Sequence, residues 1–260
     1  MKNLLLLLIA LFLVSCSSTL DFKVPGNRFQ TAETSGKTLG GKVGIGVGRA
    51  LRYELGHLYA SNIFGETVSI DTEQGVYDSN GLHIDAALGI IPEVDFFYTD
   101  FHDAASIFGL KWQFLGDLGK DQEGHKMAVM GGIGSGSEDK NSFNVTTSNG
   151  STGNLYDAHL DLDAREVSLI YSYRSTRNFL SYLNYTYSVY DTTAELNGKG
   201  VASQHIKGKV ETHSFLVGVE LSTGLNGLGV IVESGYARGK WKANHKRDDI
   251  PLGASVFFTF

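Results

Sequence analysis

The sequence predicts an all-β fold: a single transmembrane antiparallel up-and-down β-barrel of about twelve strands, with ten strands as the alternative. Three observations lead to this prediction. Apolar residues recur at every second position in one segment after another, which is typical of strands with two different faces. The links between these segments are alternately short and long. Glycine is abundant, at 32 of 260 residues, and only 19% of the residues are charged, so the polar faces are small and sparsely charged.

The composition excludes several other classes of protein. The chain has one cysteine and three prolines, beside 2 Trp, 12 Tyr and 15 Phe residues. A disulfide scaffold, a cysteine-based metal site and long disorder are therefore excluded. The formal net charge of −6 argues against a nucleic-acid partner, because nucleic-acid binders are normally basic.

The N-terminus has the layout of an export signal. Lys2 precedes a continuous apolar run over residues 4–14, which is too short to cross a bilayer as a helix. The run ends in Leu13-Val14-Ser15-Cys16, which resembles the lipobox of bacterial lipoproteins. The resemblance implies cleavage before Cys16 and an anchor of two or three acyl chains on that residue. It divides the chain into a signal peptide (1–15), a lipidated tether (16–19) and a barrel domain (20–260).

Alternating segments follow one another along the mature chain. Apolar side chains alternate with glycine or polar ones over 43–47, 82–90, 108–114, 167–173, 183–189, 215–221, 228–236 and 256–260, and an opening strand is expected near 20–30. Short links are predicted at 48–52, 91–93, 174–178 and 222–227, and long polar links at 31–41, 61–80, 136–159, 193–209 and 241–250. Links at 102–105 and 116–124 fit this alternation less well. An even number of strands puts both chain ends on the side of the short turns.

Short turns on one side and long loops on the other resemble bacterial outer-membrane β-barrels, which have periplasmic turns and outer loops. The terminal Phe258-Thr259-Phe260 resembles the C-terminal signal that their assembly machinery recognises, with Phe258 and Phe260 as the signal residues. Aromatic residues beside the short turns predict an interfacial belt of Tyr53, Phe114, Tyr171, Tyr173, Phe179 and Phe260.

This resemblance implies a bacterial outer-membrane location with an N-terminal lipid anchor. The partners that it implies are outer-membrane lipids and lipopolysaccharide, the barrel assembly machinery and the lipoprotein processing enzymes. A soluble, lipid-tethered β-sandwich or closed barrel would also show alternating strands and is the alternative fold.

The polar faces predict which charged residues point into the lumen. The acidic residues are Glu54, Asp85, Asp95, Glu166, Glu220 and Glu233, and the basic ones are Lys42, Lys111 and Arg174, with His83 nearby. Six acids against three bases predict a negative lumen, so a conducting barrel would favour cations. Buried charges are normally paired, and the same residues could instead close the interior. A barrel of this size lies between the filled barrels of about eight strands and the open ones of about sixteen, so both outcomes stay open.

Three functions are compatible with these features. The first is a narrow pore for small solutes with a mild cation preference, and the second is a plugged barrel with a structural or surface-interaction role. The third is an enzyme at the rim that hydrolyses lipids or peptides. The local cluster nearest to such an enzyme is Asp100-Phe101-His102-Asp103 with Ser106 beyond it, but no nucleophile motif accompanies it. We therefore expect no catalytic residue, no cofactor and no metal.

Overall fold

The computed structural model describes residues 16–61, 67–71, 75–119, 122–141, 145–146, 152–153, 156–198, 201–223, 227–241 and 245–260. The predicted signal peptide, residues 1–15, lies outside the described residues. Within these ranges, no helix is long and apolar enough to cross a membrane.

The described residues form fifteen β-strands. Their bounds are β1 (Cys16–Pro25), β2 (Gly41–Ser61), β3 (Thr67–Asp71), β4 (Gly75–Ile91), β5 (Val94–Phe101), β6 (Ser106–Leu115), β7 (Gly124–Asn141), β8 (Val145–Thr146), β9 (Thr152–Gly153), β10 (Tyr156–Thr176), β11 (Phe179–Gly198), β12 (Val201–Ser222), β13 (Gly227–Trp241), β14 (His245–Asp249) and β15 (Leu252–Thr259).

Ten of these strands close into a ring, in the order β2, β4, β5, β6, β7, β10, β11, β12, β13 and β15, with β15 pairing back to β2. Every pairing in the ring is antiparallel, so the predicted all-β up-and-down barrel is confirmed, with the alternative count of ten strands. The predicted link at 48–52 was wrong, because β2 runs through it without a break. The predicted opening strand forms as β1, but β1 lies outside the ring order.

The two ends of the barrel differ in their connections. The tight turns at 92–93 and 177–178 lie at one end together with the short link after Ser222, and we call this the short-turn end. Gly41 and Phe260 exchange two backbone hydrogen bonds of 3.1 Å at the same end, where the ring closes. The opposite end is the long-loop end. Several of the predicted long links are much shorter than expected, because β7, β10, β11 and β12 extend far into them.

The exterior of the ring is apolar over its lower region, next to the short-turn end. Large side chains stand exposed on every side of the ring, among them Val43, Ile45, Leu82, Ile84, Phe108, Leu110, Trp112, Leu169, Leu183, Val217, Val230 and Val256. Of the predicted aromatic belt, Phe114, Tyr173, Phe179 and Phe260 are exposed on this exterior and Tyr171 is half-buried. Tyr53 was wrongly assigned to the belt, because its part of β2 has turned into the barrel interior and its side chain is 1% exposed.

The polarity of the wall is reversed in the upper region, towards the long-loop end. On β10 the inward residues 156, 158, 160, 162 and 164 are all apolar and buried, whereas Asp157, His159, Asp161, Asp163 and Arg165 are exposed. From Val167 to Tyr173, towards the short-turn end, the outward side chains of the same strand are apolar. At ~3.3 Å per residue the 21 residues of β10 extend about 70 Å along the strand, far more than an apolar band ~25 Å tall requires. The upper region therefore projects beyond the apolar belt.

The N-terminal segment runs down the inside of the barrel. β1 pairs with residues 50–60 of β2, and β3 pairs with the end of β2, and we call these three pieces the inner sheet. Residues 26–35, the plug segment, continue from Pro25 towards the short-turn end and are buried from Gly26 to Thr34. The register pairs Cys16 with Ala60, so the start of β1 lies at the long-loop end. The prediction that both chain ends lie at the short turns was therefore wrong, and residues 16–19 belong to a paired strand.

The inner sheet fills the upper region with a conventional hydrophobic core. The rings of Phe22 and Tyr53 are stacked 5.3 Å apart, and Trp241 of β13 lies 6.0 Å from Tyr53. A Cβ at Gly239 would lie 1.9 Å from the Tyr53 hydroxyl, so the absence of a side chain there makes room for this ring. β2 stays paired with β4 as far as Glu54, while β15 ends its pairing with β2 at Val47 and β14 approaches β4 beside it, where Arg247 Nη2 lies 3.0 Å from Asp78 Oδ2.

Candidate functional site

The predicted lumen charges lie inside the barrel. Of the six predicted lumen acids and Lys111, all but one are buried in the ring wall, namely Asp85, Asp95, Lys111, Glu166, Glu220 and Glu233. The seventh, Glu54, lies on the inner sheet, where its carboxylate is 3.4 Å from Arg52 Nη2 and 3.5 Å from His57 Nε2. Arg174 and His83 are also buried, and Lys42 is half-buried. The plug segment is the element that brings most of these side chains together.

Glu33 of the plug segment is the centre of a network of buried charges near the short-turn end. Its Oε1 accepts a 2.7 Å hydrogen bond from Lys126 Nζ, and Arg174 binds its carboxylate through both Nε and Nη2. The same guanidinium donates a 3.1 Å hydrogen bond to Glu220 Oε1. All four side chains are at most 1% exposed. A single plug carboxylate thus binds cations from two different ring strands.

Glu233 and Arg28 form a second network of the plug segment, further from the short-turn end than the first. The carboxylate of Glu233 accepts hydrogen bonds from the backbone N–H groups of Arg28 and Phe29, at 2.8 and 3.1 Å, and from the Tyr182 hydroxyl at 2.7 Å. The guanidinium of Arg28 pairs with Glu166 Oε2 at 2.8 Å. Phe29 has a positive φ of 52°, which a large side chain rarely adopts, so these contacts hold the backbone in a strained conformation.

A third set of contacts fixes the lower end of the plug segment. The carboxylate of Asp95 accepts hydrogen bonds from the backbone N–H and the hydroxyl of Ser35, the shortest at 2.7 Å. Lys111 Nζ donates a 2.6 Å hydrogen bond to the carbonyl of Glu33 and lies 3.7 Å from Asp95. The side chain of Gln113 accepts a hydrogen bond from the backbone N–H of Thr34. The plug segment is therefore bound to β5, β6, β7, β10, β11 and β13 of the ring.

The sequence-based count of lumen charges missed three buried charges, the cations Arg28 and Lys126 and the acid Glu33. Arg28 lay in the expected opening strand, Glu33 lay in an expected long link, and Lys126 was not assigned to the lumen. Of these, Lys126 had a detectable signal, because Lys126, Ala128 and Met130 alternate along β7 and all three are buried. Arg28 and Glu33 had none, because they are fixed by charged partners far away in the sequence: Glu166 lies 138 positions from Arg28, and Arg174 lies 141 positions from Glu33.

The predicted rim cluster lies in and beside the turn at 102–105. Ser106 Oγ donates a 2.6 Å hydrogen bond to Asp100 Oδ1, while exposed His102 has Nε2 3.4 Å from Asp103 Oδ1. Asp103 also forms a 3.0 Å ion pair with Lys23 of β1. The histidine and the serine thus have different carboxylates as partners. The cluster joins the inner sheet to the wall through Lys23.

The exterior of the upper region carries mainly acidic residues on one side and mainly basic residues on the other, with Arg165 among the acids and Glu211 and Asp248 among the bases. β7, β10 and β11 present the acidic residues Asp139, Asp157, Asp161, Asp163, Asp191 and Glu195. His159 lies among them, and its hydrogen bond with Asp139, at 2.6 Å, raises its pKa. β12, β13 and β14 present the basic residues Lys207, Lys209, Arg238, Lys240 and Lys246.

The C-terminal residues Phe258 and Phe260 lie on the apolar exterior at the short-turn end. Each is 44% exposed, and their rings are stacked 6.5 Å apart. Their recognition by an assembly machinery stays a prediction, as does acylation of Cys16.

Neither a protein-family model nor a curated protein matches the sequence. Among solved structures, the chain resembles Ail, the attachment invasion locus protein of Yersinia pestis, in complex with the heparin analogue sucrose octasulfate, at 7% identity and a TM-score of 0.37 over 86% of this chain and 99% of that one. It also resembles the outer membrane protease OmpT of Escherichia coli, at 11% identity and a TM-score of 0.35 over 86% and 91% of the two chains. The monoaromatic hydrocarbon channel CymD matches at 11% identity and a TM-score of 0.27 over 87% and 90%. These values are too low to extend any of those activities to this chain.

Proposed function

We propose that this protein is an outer-membrane β-barrel whose lumen is closed by its own N-terminal segment, and that it acts at the cell surface through its projecting upper region. The single observation that carries the proposal is the pairing of Glu33 with Lys126 and Arg174 across the lumen. Removing one partner of a buried ion pair costs about 3–5 kcal/mol, because the other charge is left buried without compensation, so these pairs favour the plug segment in its closed position. Three of the acids that predicted cation passage, Asp95, Glu166 and Glu233, are engaged by this segment instead.

The distribution of polarity supports a membrane location. An exterior belt of exposed aliphatic and aromatic side chains surrounds a polar, charged interior in the lower region. This arrangement is unfavourable in water and favourable in hydrocarbon, where lipid-facing residues alternate with lumen-facing ones. The export signal and the C-terminal aromatic residues support the outer membrane in particular.

The basic sector of the upper region fits one partner that the sequence predicted. Lys209, Lys207 and Lys240 stand exposed above Phe215, which is the last apolar exterior residue of β12. Lysine ammonium groups in that position suit the phosphate groups of lipopolysaccharide, which lie at the same level next to the membrane. In this proposal the acidic sector on β7, β10 and β11 contacts other macromolecules.

A conductance experiment with a reversible lock on the plug segment tests the proposal. The backbone N–H of Ala32 donates a 2.9 Å hydrogen bond to Ser172 Oγ of the wall, so Ala32→Cys with Ser172→Cys places two thiols where a disulfide would hold the plug segment. The matched control is Glu211→Cys with Lys240→Cys, a register pair on the exterior of β12 and β13 that cannot restrain the plug segment. Both variants and the wild type are measured in planar bilayers, oxidised and reduced.

We expect no conductance steps from the wild type or from either variant in either redox state. Steps that appear in the reduced Ala32→Cys, Ser172→Cys protein and vanish on oxidation would overturn the proposal and establish a pore gated by the plug segment. Steps that are the same in all proteins and both states would also overturn it, because the lumen would then conduct around the plug segment.

The proposal assigns no catalysis to the rim cluster, since Ser106 and His102 have different partners. Hydrolysis of phospholipid or peptide substrates by the purified protein, abolished by His102→Ala, would contradict this assignment.

The acylation of Cys16 is part of the proposal and has a structural consequence. Cys16 pairs with Ala60, about 40 Å along β2 from Val47, the last residue of the apolar exterior over 41–58 of that strand, at ~3.3 Å per residue. One leaflet of hydrocarbon is only about 15 Å thick, so acyl chains cannot enter the bilayer while β1 is fully paired. An acylated protein must therefore release the start of β1 from β2. Mass spectrometry of the mature N-terminus, with Cys16→Ser as the control, tests the modification.

A further inference from the structure

Two histidines stand in a row with acidic residues on the exterior of the upper region. His159 of β10 is the register partner of Asp139 on β7 and of Glu195 on β11. Glu195 is in turn the register partner of His205 on β12, whose Nδ1 lies 3.3 Å from Glu195 Oε1. All four side chains are exposed. Acid and histidine therefore alternate across four neighbouring strands, and we call these four residues the histidine row.

The ring of His159 contacts a carboxylate on each side. Its Nδ1 lies 2.6 Å from Asp139 Oδ1, and its Nε2 lies 3.2 Å from Asp161 Oδ2, two positions further along β10. An ionised carboxylate only accepts hydrogen bonds, and a neutral imidazole has only one N–H. Both contacts are therefore hydrogen bonds only when the ring is a protonated imidazolium, which donates to Asp139 and Asp161 at once.

The charges that surround the histidine row are mostly negative. Asp157 and Asp161 flank His159 on the exterior face of β10, and Lys207 stands beside His205 on β12. With both rings protonated, positive and negative charges alternate along the row, whereas with both rings neutral only the negative charges remain. Opposite charges on paired residues of neighbouring strands stabilise the pairing, and like charges destabilise it. The cohesion of these strand ends therefore depends on the protonation of the rings.

The pKa of His159 determines the pH range in which its ring is charged. The hydrogen bond with Asp139, and then the negative charge of Asp161, raise this pKa above the ordinary value of about 6.5. Because the pKa is raised in the folded protein, the stabilising contribution is fully present below pH ~6.5 and is lost as the pH rises through the raised pKa. A lysine in the same position would stay charged throughout this range, so histidine is what makes the pairing depend on pH.

We propose that the histidine row is a pH-sensitive link between the outer ends of β7, β10, β11 and β12. In acid, both rings are charged and the row holds the four strand ends together. As the medium becomes alkaline, the rings lose their protons, Asp161 is released from His159, and the negative charge of the acidic sector increases. The row thus regulates the acidic sector, and it rests on the proposed function only in that this surface lies in water.

Amide hydrogen exchange of the full-length protein in detergent micelles, followed by NMR from about pH 6 to about pH 8.5, tests the proposal. Protection factors, which correct for the intrinsic effect of pH on exchange, are compared for the outer ends (137–140, 157–161 and 193–197) and for residues 168–172 of the lower region. We expect protection of the outer ends to fall about two- to fivefold as the pH rises, the range for exposed ion pairs, and that of residues 168–172 to stay constant. The closed lumen plays no part in this measurement, so its failure is distinguishable from a failure of the conductance experiment.

Two double variants fix the charge of the histidine row. His159→Lys with His205→Lys keeps the positive charges and should retain the protection of the acidic wild type at every pH in this range. His159→Gln with His205→Gln removes these charges and should show the lower protection throughout. His125→Gln removes an exposed histidine at the short-turn end and is the matched control, in which the pH dependence should be unchanged.

The titration of the His159 ring, followed by NMR, tests the link directly. Its midpoint should coincide with the loss of protection in the wild type and should fall towards the ordinary histidine value in Asp139→Asn, which removes the charge of a hydrogen-bond partner. The substituted side chains are exposed, so we expect every variant to fold. Protection that is independent of pH in the wild type, a pH dependence that persists in the double glutamine variant, or a midpoint that Asp139→Asn leaves unchanged would each overturn the proposal.

Discussion

The lower and upper regions of the barrel are built from the same strands and have opposite polarity. On β10, the lower inward residues include Glu166, Ser168 and Arg174, and the outward ones are Val167, Leu169, Tyr171 and Tyr173. In the upper region the inward residues are apolar and the outward ones are charged. Ile170 is the exception in the lower region, since it is buried in the lumen.

This reversal shows that strand alternation alone does not define which face is inside. The solvent outside the wall decides the polarity of each face: hydrocarbon selects an apolar exterior, and water selects a charged one. The interior then takes the complementary chemistry. The upper region is filled by the apolar inner sheet, as in a soluble β-protein, and the lower region is filled by the polar plug segment, whose charges pair with the wall.

The largest expected effect is in the lower region, where Glu33→Ala removes the carboxylate that binds Lys126 and Arg174. Two cations would be left buried without their partner, so the free energy of unfolding should fall by about 3–5 kcal/mol. The measurement is denaturant unfolding in detergent, with hydrogen exchange of residues 26–35 to locate the change.

Glu195→Ala is the matched control in the upper region. Glu195 is exposed and lies 3.3 Å from His205, and exposed ion pairs contribute at most about 1 kcal/mol. Equal losses for the two variants would contradict the conclusion that the plug network stabilises the closed lumen.

A second comparison uses leucines on opposite faces of β10. Leu160 is 0% exposed in the upper core, so Leu160→Ala should lower the free energy of unfolding by about 2–5 kcal/mol through lost burial and a cavity. Leu169→Ala should have a smaller effect, because Leu169 is on the exterior and detergent or lipid fills the vacated space. Hydrogen exchange of the inner sheet should increase in the first variant and not in the second, and the reverse result would refute the assignment of two differently packed regions.

Charged substitutions on the exterior test where the membrane lies. Leu169→Lys puts an ammonium near the middle of the apolar belt and should weaken folding into phospholipid vesicles by about 2–4 kcal/mol. Asp161→Lys lies eight positions earlier on the same exterior face, in the upper region. It should change the free energy of folding into vesicles by about 0.5 kcal/mol or less, because this part of the face is in water. Similar effects at the two sites would show that the apolar belt is not the lipid-facing surface.

The sequence predicted the lower region well, because its apolar exterior and polar lumen alternate strictly. The upper region was mistaken for long loops. Yet Ala158, Leu160, Leu162 and Ala164 alternate with charged residues there in the opposite phase, so a search for alternation of either phase would have extended β10.

The plug segment could not be predicted in the same way. Residues 26–35 have no periodicity, and they are fixed by partners such as Glu166, which lies 138 positions from Arg28. The sequence therefore left open whether the predicted lumen residues line a passage or bind a plug.

The smallest expected effect is a pH dependence on the exterior of the upper region. Hydrogen bonds from Arg238, at 2.6 and 3.1 Å, and then from Tyr236 lower the pKa of Asp248 to about 2. Because this pKa in the folded protein is below the ordinary value of about 3.9, the pair's contribution to stability is present above pH ~4 and is lost as the pH falls towards 2. The titration of the Asp248 carboxyl carbon, followed by NMR, should have its midpoint near pH 2 in the wild type and should move up towards the ordinary value in Arg238→Ala. Since both side chains are solvent-exposed, this substitution should leave the packing of the inner sheet unchanged, and a midpoint that does not move would show that the pair on β13 and β14 does not persist in solution.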